Sequence, residues 1–159
     1  MKFIPESIID QSIEALSISD SLDEAIKALA DAQPFLITYL SSETTTAFSN
    51  EEKDFLFFAT SVIVSAVETV EPETRVLGLD MLTELEEQNF TTLTETKGKE
   101  FRERVTVFFE NYPQEDLLAF AEDALEEDEE NLITAEGREY LFVMLKTIID
   151  SFHKSLLQK

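Results

Sequence analysis

Residues 49–70 read SNEEKDFLFFATSVIVSAVETV, and this stretch decides the fold. Ser49 and Glu52 have the form of a capping box: the serine oxygen accepts the amide proton three residues on, and the glutamate reaches back. Glu51, Glu52 and Asp54 fall in the first turn, where the helix dipole favours negative charge. Apolar residues then follow almost without pause, from Phe55 through Leu56, Ile63 and Val67 to Val70. One narrow polar stripe runs through Asp54, Ser61, Ser65 and Glu68 at helical spacing. Pro72 ends the helix, because the residue before a proline is pushed out of the α region.

A helix apolar on nearly all sides is either buried in a core or spans a membrane. A span needs roughly 18 or more uninterrupted apolar residues. Thr60, Ser61, Ser65 and Glu68 break this run, and its flanks are acidic. The stretch therefore reads as a central helix wrapped by others.

The pattern returns in residues 134–153, TAEGREYLFVMLKTIIDSFH. At an offset of 85, Ser49 meets Thr134, Lys53 meets Arg138, Phe57 meets Phe142 and Ile63 meets Ile148. The polar stripe falls on Lys146, Asp150 and His153. Upstream, at an offset of 79, Leu22, Ile26, Leu29 and Pro34 align with Phe101, Val105, Phe108 and Pro113. The sequence thus predicts a duplicated helical unit.

The remaining elements follow from caps, prolines and apolar spacing. A first helix is expected over 5–17, with Ile9, Ile13 and Leu16 on its apolar face. A Ser21–Glu24 capping box opens the second, and Pro34 restarts the chain as a short third. Ser41 to Thr46 form a polar loop. A fifth helix is expected from Pro72 to about Gln88, and a sixth through Phe101, Val105, Phe108 and Tyr112. Pro113 opens a seventh, and the last runs from about Ala135 to Leu157. No segment alternates as a strand does. The expectation is all-α, with about eight helices arranged as two duplicated four-helix units packed into one compact domain. The first repeat is placed at 1–88, a linker at 89–98 and the second repeat at 99–159.

Net charge is −22, with 34 acids against 12 bases, and the acids are spread over both halves. Such a surface repels nucleic-acid phosphates and anionic lipid, and it attracts basic partners. There is no cysteine, so thiolate metal sites and disulfides are excluded. Pro5, Glu6 and Asp10 interrupt any secretory apolar region after Met1, so a cytoplasmic location is expected.

The search for chemistry yields little. His153 is the one histidine, and Asp150 three residues before it makes a solvated pair. Three glycines, Gly78, Gly98 and Gly137, build no phosphate-cradling loop. The stretch KGKEFRER, 97–104, reads as a solvated face with Glu100 and Glu103 as partners of its bases. EEDEEN at 126–131 lacks the glycine and the alternating ligands of a calcium loop. Ser61 and Ser65 form a small-residue stripe that is either where two halves, or two chains as a dimer, meet or a lightly polar outer face.

These observations predict a soluble, non-enzymatic helical interaction module that binds a basic protein partner, with no cofactor, metal, nucleic acid or membrane. Glu126, Glu127, Asp128, Glu129 and Glu130 are the expected contact residues. The alternative is a small-ligand-binding protein or enzyme with a pocket between the two repeats.

Overall fold

A computed structural model describes residues 1–18, 22–42, 45–73, 75–126 and 133–157. Among these residues the protein is an all-α bundle without strands. The helices are α1 (Glu6–Ile18), α2 (Leu22–Ala32), α3 (Pro34–Leu40), α4 (Asn50–Val70), α5 (Leu79–Glu95), α6 (Phe101–Val105), α7 (Glu115–Ala124) and α8 (Ala135–Leu157).

The two long helices, α4 and α8, pack against each other at the centre. Leu56, Ala59, Val62, Ile63, Ala66 and Val67 of α4 are fully buried, as are Leu141, Phe142, Leu145, Ile148 and Phe152 of α8. Each such large aliphatic or aromatic side chain contributes roughly 1.5–3 kcal/mol by leaving water. Around this pair, α1 and α2 pack on α4, while α5 and α7 pack on α8.

The predicted capping box is present: Ser49 Oγ accepts from the Glu52 amide at 3.1 Å, and Glu52 Oε1 accepts from the Ser49 amide at 2.9 Å. Helix α4 ends at Val70, ahead of Pro72 as expected. At the head of α8, Thr134 Oγ1 accepts from the Gly137 amide at 3.0 Å, the same N-cap to N3 bond. The expected cap at Ser21 lies outside the described residues.

Three boundaries differ from the sequence expectation. Helix α5 begins at Leu79 rather than Pro72, and the exposed Val76 is not on its apolar face. It also runs on to Glu95, so 89–95 is helix where a linker was expected. The polar composition of that stretch hides the helix. Asn89 and Leu93 are buried, while the hydroxyls of Thr91, Thr92 and Thr94 bond back to the carbonyls of Glu87, Gln88 and Phe90. The sixth helix is shorter than expected. It is α only to Val105 and tightens into a 3₁₀ turn over Thr106–Phe109, which points Phe108 at Phe142. Asn111 turns the chain with φ 54°, a conformation asparagine tolerates better than most residues.

Two buried glutamines fix the segments that lead into α1 and α5. Gln33 stands just before α3. Its Oε1 accepts from the Leu77 amide at 2.8 Å and its Nε2 donates to the Arg75 carbonyl at 2.9 Å. Gln114 stands just before α7. Its Oε1 accepts from the Ile4 amide at 3.1 Å and its Nε2 donates to the Lys2 carbonyl at 2.9 Å. In each case one amide side chain satisfies a backbone donor and a backbone acceptor two residues apart. Ile4 and Leu77 are buried; their neighbours Phe3 and Val76 are exposed.

Candidate functional site

The groove between α1 and α7 combines an apolar floor with an acidic rim. Helix α1 turns Ile9 and Ile13 inward, one turn apart, and keeps Glu6, Asp10 and Glu14 in register along its outer side. Helix α7 buries Leu117, Leu118 and Ala121, which leaves Ala119, Phe120 and Ala124 to face α1. The cavity between them measures about 460 Å³. Glu6, Asp10, Asp116 and Asp123 surround the apolar floor, and no basic side chain lines it. Glu115 and Glu122 bring the carboxylates on the two helices to seven, and neither helix carries a lysine or arginine. Asp116 also holds the start of α1, accepting from the Glu6 amide at 3.0 Å.

At the C-terminal end of α7 the charges are matched. Arg102 reaches Glu122 at 3.0 Å, Asp123 at 3.2 Å and Glu126 at 3.1 Å. Burial pushes the Glu122 carboxyl above the usual range, and the Arg102 guanidinium opposes that shift. Of the five residues expected to make partner contacts, Glu126 is therefore exposed and already ion-paired. Glu127, Asp128, Glu129 and Glu130 lie outside the described residues.

In the basic stretch 97–104 the two arginines pair with carboxylates outside the stretch rather than with the expected Glu100 and Glu103. Arg104 pairs with Glu139 at 2.6 Å, bridging α6 to α8. With Arg102 engaged by three carboxylates, two of the four bases are committed.

The stripe of α8 is not solvated as the sequence suggested. Lys146 is buried, with Nζ 2.7 Å from Asp150 Oδ2 and 3.0 Å from Asn89 Oδ1. The same ammonium sits 5.0 Å from the ring centre of Tyr112 and 5.2 Å from that of Phe108, within cation–π range. Asn89 Nδ2 donates to Thr147 Oγ1 and to Asp150 Oδ2, both at 3.1 Å, and the Tyr112 hydroxyl donates to Asp150 Oδ1. Burial, reinforced by Asp150, pushes the Tyr112 hydroxyl far up. The network ties α5, α8 and the turn after α6 together. Lysine, aspartate and tyrosine in contact resemble an acid–base set, but their bonds are spent on one another. None of them lines the α1–α7 groove.

Asp150 is thus engaged by Asn89, Tyr112 and Lys146 rather than by His153 in a solvated pair. Among the described residues His153 Nδ1 is buried without a hydrogen-bond partner, and burial lowers its imidazole. Burial also raises the Tyr39 hydroxyl and the Glu86 carboxyl. The stripe of Ser61 and Ser65 faces α1 and α2, lining a shallow groove with Leu16, Ala25, Ala28 and Leu29.

Among the described residues no group of three or more His, Cys, Asp or Glu is placed to hold a metal ion, and no helix is long and apolar enough to cross a membrane. Sequence reasoning missed Gln33, Gln114 and the α1–α7 groove. The four-residue spacing of Glu6, Asp10 and Glu14 marks an acidic face on α1 but not the neighbour that makes it one side of a groove. No family model, curated protein or solved structure matches the chain.

Proposed function

We propose that the chain is a soluble, cytoplasmic, non-enzymatic interaction module that engages a basic protein. The observation that carries this reading is the α1–α7 pair: seven carboxylates and no base on two adjacent helices, over an apolar floor. Carboxylates are paired at Arg102, which takes Glu122 and Asp123 at the end of α7, and at Arg104 and Lys146. Glu6, Asp10, Glu14, Glu115 and Asp116 lie outside the Arg102 cluster; like charges on adjacent helices raise the energy of the free protein, and a cationic partner relieves that repulsion. In sequence, the acidic run 126–130 follows directly on α7. Capture of partners from a native lysate tests the reading. A basic protein retained at low salt and released at high salt is the expected result, because screening weakens exposed charge pairs. Salt-insensitive or exclusively acidic partners would end it.

The size of the groove supports a second reading, a small-ligand pocket. About 460 Å³ lies within the usual range for ligand sites, roughly 300–1,000 Å³. The polar groups around it are all carboxylates, so such a ligand would be an amphipathic cation. A screen of small cationic amphiphiles by thermal shift separates the two readings.

We also propose that α1–α4 and α5–α8 are copies of one four-helix unit. Three correspondences support this. The cap at Ser49–Glu52 matches that at Thr134–Gly137. The Gln33 clamp on Arg75 and Leu77 matches the Gln114 clamp on Lys2 and Ile4. Helix α1 packs on α4 as α5 packs on α8, and α3 touches α5 as α7 touches α1. The division then falls between α4 and α5, not at residue 88. Pro34 and Pro113 are not counterparts in this scheme, because Pro34 follows its glutamine and Pro113 precedes it. An experimental structure in which α1 and α4 do not superpose on α5 and α8 would sink the proposal.

A further inference from the structure

We infer that the α1–α7 groove seats one face of a basic amphipathic helix. The inference rests on the reading of the chain as a module for a basic partner and narrows it to one surface and one kind of segment. The floor is formed by the half-buried Ile13 and Phe120, with Ala119 and Ala124 beside them and the buried Ile9 beneath. It carries no backbone or side-chain group that a partner's main chain would need. A strand laid there would bury its own N–H and C=O groups against aliphatic and aromatic carbon without partners. A helix satisfies its backbone internally and offers apolar residues at i, i+3, i+4 and i+7 as one continuous face.

The rim fits the same occupant. Glu6 and Asp10 stand one helical turn apart on the α1 edge, and Asp116 stands on the α7 edge, with Asp123 beyond it already paired with Arg102. A helix lying between those edges places lysine or arginine on both its flanks, where the aliphatic stems cover the edge of the floor and the charged heads reach carboxylates. Nucleic acid offers neither the apolar face nor the positive charge, so it does not fit the groove.

The test is fluorescence anisotropy on the full chain with two labelled peptides of roughly 14 residues, long enough for about four turns of helix. One places leucines on a single helical face with lysines on its flanks. The other has the same composition, scrambled so that the leucines no longer share a face. At low salt the amphipathic peptide is expected to bind at least about tenfold more tightly than the scrambled one. Glu6→Gln combined with Asp10→Asn is expected to remove most of that advantage. Glu84→Gln combined with Glu87→Gln, on the exposed face of α5, is expected to keep it. Circular dichroism checks that each variant is folded.

Equal binding of the two peptides overturns the groove inference and leaves the basic-partner reading standing. So does failure of both peptides when a basic protein is still captured from lysate at low salt. Failure of both peptides together with no basic protein captured overturns both.

Discussion

Thr134 donates both its backbone N–H and its hydroxyl to Glu52 Oε2, at 3.3 and 3.1 Å, across 82 residues of sequence. Glu52 Oε1 is meanwhile bound to the Ser49 amide. One carboxylate therefore serves the N-termini of both central helices, and it does so while almost fully buried. Two positive helix ends meet there, and the charge of Glu52 favours both. The second half has no glutamate of its own at the equivalent position, which is Gly137.

Gly137→Ala is expected to destabilise the protein, against the usual preference for alanine in helices. The added Cβ would overlap Glu52 Oε2 and come within 2.8 Å of Thr134 Oγ1. Helix propensity favours the change by about 1 kcal/mol, and loss of a cap costs roughly 0.5–2 kcal/mol per helix end. With both ends affected the cap losses come to about 1–4 kcal/mol, so a net loss of up to about 3 kcal/mol is expected in urea unfolding. Combining it with Glu52→Ala should cost clearly less than the sum of the single changes; strict additivity would mean the two sites are independent.

Gln33→Leu and Gln114→Leu should be similarly damaging. Each leaves a buried amide and a carbonyl without partners, at a cost of roughly 1–3 kcal/mol per orphaned group. Denaturant melts of the two variants should give losses within a factor of about two of each other. A large loss from one and none from the other would count against the equivalence of the clamps.

Lys146→Met should cost about 3–5 kcal/mol, because it leaves the Asp150 carboxylate largely buried without its cation. Pairing it with Asp150→Asn should recover part of that loss in thermal unfolding. If the single variant melts like wild type, the ion pair is dispensable.

The single histidine gives an unambiguous pH readout. Burial holds the folded His153 imidazole below its ordinary value of 6.5, so the folded state binds a proton less readily than the unfolded chain. The stability from neutral His153 is present above 6.5 and is lost as pH falls through the folded value. Proton NMR should show the imidazole titrating below 6.5. His153→Gln should flatten the stability–pH curve in that window. An ordinary or raised titration midpoint would contradict the burial.

Legibility in the sequence tracked where local chemistry agreed with burial. Ser49, Glu52 and the apolar run that follows them announce α4, because cap, dipole and core all favour the same helix. Thr91, Thr92 and Thr94 concealed the end of α5, since their hydroxyls satisfy themselves within the helix and break the apolar period. Lys146 and Asp150 read as solvated because a polar stripe normally faces water; Asn89, Phe108 and Tyr112 cover it from other elements. The groove needed α1 and α7 to be neighbours, and no spacing within either helix reports that. Gln33 and Gln114 have no local signal, because their targets lie 42 to 112 residues away.

The Gln114 clamp carries a consequence for synthesis on the ribosome. The Ile4 amide and the Lys2 carbonyl acquire their partner only after residue 114 has left the exit tunnel. At typical elongation rates of roughly 5–20 residues per second, that leaves the leading segment waiting for several seconds. During that interval the exposed carboxylates of α1 keep the nascent chain charged, while Ile9 and Ile13 have no α7 to cover them.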